Sequence, residues 1–84
     1  MDTKIQSIKR EAAIRKIIAA MMDGRKLSLF NDSEFKVSEM HTCFCNIRRK
    51  IRDGKITGVV MRDEWQTTAE GIRYKVYWFE DAED

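Results

Sequence analysis

The chain is 84 residues long with a formal net charge of +2, enough for one domain with a single modest core and too little for an elaborate active site. No apolar run approaches the roughly 20 residues that span a bilayer, and the opening MDTKIQSIKREAAIRKI alternates charges with isoleucines where a signal peptide has a continuous apolar stretch, so a cytoplasmic protein without membrane association is expected. The charges are unevenly placed: the segment through Arg52 holds twelve of the sixteen basic residues and six of the fourteen acids, which leaves Asp53 to Asp84 with a deficit of four.

Thr3 to Met22 reads as a first helix. Thr3 followed by Gln6 matches a capping box, Ile14, Ile17, Ile18 and Met21 form an apolar stripe, and Asp23-Gly24 is a stop. Ile5 and Ile8, on an otherwise charged turn, are available either to the core or to a second copy of the chain, so a homodimer through this helix is one expectation. In Arg25 to Val37, Ser28 or Asn31 can cap a short second helix over about residues 29–35, with Leu29, Phe30 and Phe35 facing inward. Lys36 and Val37 then make a tight connection to the next element.

Ser38 to Asp53 is the most strongly marked helix. Met40, Cys43, Phe44, Ile47 and Ile51 recur at spacings of three and four, so at about 3.6 residues per turn they share one side. Thr42, Cys45, Asn46, Arg49 and Arg52 point the other way. Ser38 is the expected N-cap and Gly54 the stop, and the cations Arg48, Arg49, Lys50 and Arg52 suit the negative end of the helix dipole. After Gly54 the pattern changes to β-branched and aromatic residues, which predicts a hairpin of strands 55–65 and 72–79 around the turn Gln66 to Gly71. Val59, Met61 and Trp65 share a face of the first strand. On the second strand both faces carry aromatics, and Tyr77 and Phe79 are assigned to the core because Arg73 and Lys75 then fall on the same face nearer the exposed tip. The single domain spans 1–80, and 81–84 form an acidic tail.

Three helices followed by a hairpin, an α+β arrangement with a basic third helix ending in Gly54-Lys55-Ile56 and a hairpin closing in Tyr77-Trp78-Phe79, resemble the winged helix-turn-helix family. The likeness covers roughly Ala12 to Phe79 and is similar in particular to the short winged-helix proteins of phages and prophages. It implies a sequence-selective binder of double-stranded DNA, a small transcriptional regulator or recombination accessory factor, with the helix 38–53 in the major groove and the hairpin against the backbone. Carried over to this chain, it makes Thr42, Asn46 and Arg49 candidates for base edges, with Glu39 and His41 behind them. Lys36, Arg48, Arg52, Arg73 and Lys75 become candidates for phosphates. The near-neutral total charge, the acidic tail and Glu70 at the hairpin tip motivate an alternative, a winged-helix module that binds a protein such as a host factor of a phage.

Other chemistries find little footing. His41, Cys43 and Cys45 occupy successive odd positions whose side chains diverge by about 200° on a helix, so the three cannot converge on one ion, and Cys43 reads as a small core hydrophobe. His41 and Cys45 alone are close enough to touch, without a third catalytic group in view. No P-loop, dinucleotide fingerprint or paired-carboxylate motif occurs, so neither an enzyme nor a cofactor nor a metal is expected.

Overall fold

The structure is a computed structural model that describes residues 3–82, with side chains from residue 10. The first helix, α1, spans Thr3–Met22 as expected. Ala13, Ile14, Ile17 and Met21 are buried along it, with Ile18 half-buried at the edge of the core. It ends where Gly24, at φ +93°, turns the chain so that Arg25 N donates to Ala20 O at 3.1 Å. The side chains of the expected Thr3–Gln6 capping box and of the Ile5 and Ile8 surface lie outside the described residues. Among the described residues, no helix is long and apolar enough to cross a membrane.

A two-residue strand, β1 (Leu27–Ser28), follows, which the pattern of residues did not announce. Ser28 and Asn31 then cap each other: Phe30 N donates to Ser28 Oγ at 3.1 Å and Ser28 N donates to Asn31 Oδ1 at 2.8 Å. The span expected to be a short helix is a 3-10 turn (Leu29–Asn31) continued by α2 (Asp32–Phe35). Only Phe35 turns towards the core. Leu29 and Phe30 remain 43% and 57% exposed, because Ser28 is fixed in the sheet and the tighter 3-10 turn swings the next two side chains outward. The Phe30 ring instead rests on Tyr74 at 4.9 Å, on the outer face of the sheet.

The third helix, α3, spans Met40–Arg52, two residues shorter at its start than expected. Lys36 takes a left-handed conformation at φ +57°, and the chain bends through Ser38 before helical geometry begins. The N-cap position therefore falls to Glu39, and neither Ser38 nor the Glu39 side chain caps the first turn. Met40, Cys43, Phe44 and Ile47 are buried and Ile51 packs beside them, so the expected apolar stripe is the one observed. At the far end Gly54 adopts φ +78°, Gly54 N donates to Ile51 O, and Lys55 N donates to Lys50 O at 2.8 Å.

The hairpin consists of β2 (Val59–Thr67) and β3 (Arg73–Asp81). Relative to the expected strands 55–65 and 72–79, β2 begins four residues later, because the chain is still turning through Gly58 at φ +85°, and both strands reach two residues further. Asp81 pairs with Val59 and Ala82 N donates to Gly58 O at 3.0 Å, so the expected acidic tail is in part sheet. All pairings are antiparallel in the order β1-β3-β2. Tyr77 and Phe79 face the core as expected, with Met61 opposite Phe79, and Tyr77 stacks on Phe44 at 4.2 Å. One face of the sheet thus closes a core with α1 and α3.

Candidate nucleic-acid interface

On α3 the buried stripe fixes what the opposite side presents. Cys45, Arg49 and Arg52 are exposed and Thr42 is half-buried. Asn46 stands at the flank, where with Glu11, Arg49, Lys50, Asp53 and Lys55 it lines a cleft of about 170 Å³. The candidate base readers Asn46 and Arg49 therefore share one cleft. Thr42 is one turn before Asn46, and its hydroxyl lies 3.4 Å from the Glu39 carboxylate. Glu39 also faces Arg10 at 3.6 Å, which ties the start of α3 to α1. His41 lies beside Cys45, Nε2 to Sγ 3.6 Å.

The candidate phosphate contacts divide into free and engaged cations. Arg52 has a side chain 74% exposed and only its sequence neighbour Asp53, at 3.5 Å, beside it. Arg48 points along the sheet and donates to Asp63 Oδ2 at 2.7 Å. Lys75 approaches the same carboxylate at 3.8 Å. Arg73 and Lys75 both lie over the Trp65 ring, at 4.7 and 5.3 Å from its centroid. Lys36 is exposed at the end of α2, separate from this group. Among the described residues, no carboxylate is within ion-pair distance of Arg49, Lys50, Lys55 or Arg73.

Asp63 is the part of this surface that the sequence did not single out, and Trp65, expected on a strand face with Val59 and Met61, stands beside it. Both belong to the core-side face of β2, because that face alternates Met61, Asp63, Trp65 and pairs across to Phe79, Tyr77 and Lys75. Beyond Met61 the strand runs out from under the helices, and Trp65 is 56% exposed. An inward Tyr77 puts Lys75 on the same face, but its place opposite Trp65 follows from the observed register, in which the strands run on to Thr67 and start at Arg73, rather than from the expected turn, which would set Ile72 opposite Trp65. The Arg48 guanidinium holds the Asp63 carboxyl below its usual range, against a smaller opposing effect of burial and with Lys75 assisting. One ionised carboxylate therefore joins α3 to the hairpin and keeps two cations on one side of the molecule.

Burial raises the Cys43 thiol above its usual range, in keeping with a core position 1% exposed. Among the described residues, no three histidine, cysteine, aspartate or glutamate side chains converge as a metal cluster. No protein-family model, curated protein or solved structure matches the chain.

Proposed function

We propose that this chain is a winged-helix protein that binds double-stranded DNA, with α3 in the major groove and the hairpin β2–β3 along the adjacent backbone. One observation carries the reading: Arg49 and Arg52 are exposed on the outward face of α3, and Arg48 of the same helix is joined through Asp63 to Lys75 of the hairpin, where Arg73 lies beside Lys75 over Trp65, so both α3 and the hairpin flank present cations. A phosphate polymer is the partner that such a run of guanidinium and ammonium groups neutralises over its length. The helix order, with β1 added at the far edge of the sheet, is compatible with a winged-helix arrangement.

In this reading Arg49 and Asn46 face base edges from their shared cleft, where guanidinium suits guanine and amide suits adenine. Arg52, Arg73 and Lys75 neutralise phosphates and set the register. Asp63 limits the total charge and orients Arg48 and Lys75. The role is binding, and no reaction is assigned.

Reversing Arg49 and Arg52 together to glutamate tests the reading. Both are exposed, so far-ultraviolet circular dichroism should be unchanged while duplex affinity is lost; unchanged affinity would contradict it. The other face of the molecule favours a second reading, a protein-interaction module, because Phe30 and Leu29 are large, apolar and exposed there. In that case Phe30→Ser removes binding to a protein partner, and the double glutamate variant leaves it intact.

A further inference from the structure

Trp65 is a large aromatic side chain outside the core. It stands on the α3 side of the sheet, two residues beyond Asp63, where β2 has run out from under the helices, and it is 56% exposed. Cations lie over its ring: the Arg73 guanidinium at 4.7 Å and the Lys75 ammonium at 5.3 Å from the centroid. Trp78 differs. It is half-buried on the opposite face of the sheet, and its indole N–H donates to Glu80 Oε2 at 3.0 Å.

An exposed indole with cations at its face suits one ligand chemistry, an aromatic ring joined to a phosphate. We infer that Trp65 is a stacking platform for an unpaired base of DNA, with Arg73 and Lys75 on the phosphates of that strand. A cation is held on an exposed ring more weakly than a base is held by stacking. The base therefore takes the ring, and the displaced cation turns to the adjoining phosphate. Position decides between an unpaired base and a wedge driven between base pairs. A wedge has to project from the hairpin tip, whereas Trp65 lies on the strand, directly opposite Lys75. The tip itself is closed, since Thr68 N donates to Ile72 O at 2.9 Å and Ile72 N donates to Thr68 Oγ1 at 3.1 Å. It also carries Glu70, which repels phosphate.

The platform continues the cations of α3. Arg48 and Lys75 both approach Asp63 between the helix and the ring, and from Asp63 to Trp65 is about 7 Å along the strand. A single strand leaving a duplex held on α3 therefore meets Trp65 with its first unpaired bases, so the partner is a duplex that opens into a single strand. The duplex on α3 rests on the reading proposed above, whereas the stacked base does not.

The test is fluorescence anisotropy at low salt against two duplexes of one sequence, one blunt and one extended by a single-stranded run of about ten thymidines. The extended duplex should bind roughly 5- to 150-fold tighter. Trp65→Ala, an exposed position and so folding as the parent does, should abolish the preference, and Trp65→Phe, which keeps a stacking ring, should retain most of it. In Trp78→Phe, where Trp65 is the one remaining tryptophan, oligothymidine should quench the emission. A preference that is absent, or that survives Trp65→Ala, would overturn the inference and leave the duplex reading standing if the blunt duplex binds. Quenching by oligothymidine in a chain that never binds blunt duplex would uphold the platform and contradict the duplex reading. No binding of any of the three contradicts both.

Discussion

Asp63 holds Arg48 at 2.7 Å and Lys75 at 3.8 Å, and its side chain is 27% exposed. Because its carboxyl titrates below the ordinary value of about 3.9, its stabilisation is complete above that value and lost as pH falls through the lowered one. Asp63→Asn should then cost at most about 1 kcal/mol at neutral pH, the range of partly exposed ion pairs. The deficit relative to the parent should disappear in urea melts at pH low enough to protonate Asp63. The same change frees two cations, so duplex binding should tighten and fall more steeply with salt. Arg49 makes the opposite case. It has no carboxylate partner among the described residues, and as a base reader Arg49→Ala should weaken duplex binding by about 1–3 kcal/mol and relax its base preference, read by anisotropy against duplexes of differing sequence.

At the scale of elements, α3 is held in length by Gly54. Its φ of +78° is open to glycine and strained for an L side chain, while the space where a Cβ would stand is empty. Gly54→Ala should therefore cost about 1 kcal/mol from backbone strain alone, read as a lower urea midpoint with unchanged slope. Gly54 was legible in the residues, as was the stripe Met40, Cys43, Phe44, Ile47, because helix periodicity and glycine stops are local signals. Ser38 was misleading, since the left-handed Lys36 and the bend after it decide where α3 starts. The two-residue β1 was invisible for a different reason: two residues have no period, and Leu27–Ser28 is a strand only because β3 lies beside it. Candidate cations could be named from sequence but not sorted. Whether Arg48 is free or held depends on Asp63, fifteen residues away, and only the packing of α3 on the hairpin brings them together.

For the whole molecule, one face of a three-stranded sheet, α1 and α3 enclose a single core, and its largest fully buried side chain is Phe44, stacked on Tyr77. Phe44→Ala should cost about 3–5 kcal/mol, a large part of the roughly 4–13 kcal/mol usual for a domain of this size. Thermal melting should show the loss as a midpoint lowered by roughly 12–40 °C relative to the parent. The core also fixes function, because α3 buries one side in order to present the other. The central claim is that this presented side, with the adjoining flank of the hairpin, neutralises DNA phosphates. Fluorescence anisotropy of the chain against a random duplex of about 30 base pairs, repeated across a salt series, tests it most directly. Affinity should fall log-linearly with salt at a slope of about −3, corresponding to the phosphate contacts Arg52, Arg73 and Lys75, with Arg48 held by Asp63. An absence of binding at low salt, or an affinity that does not change with salt, would contradict the account.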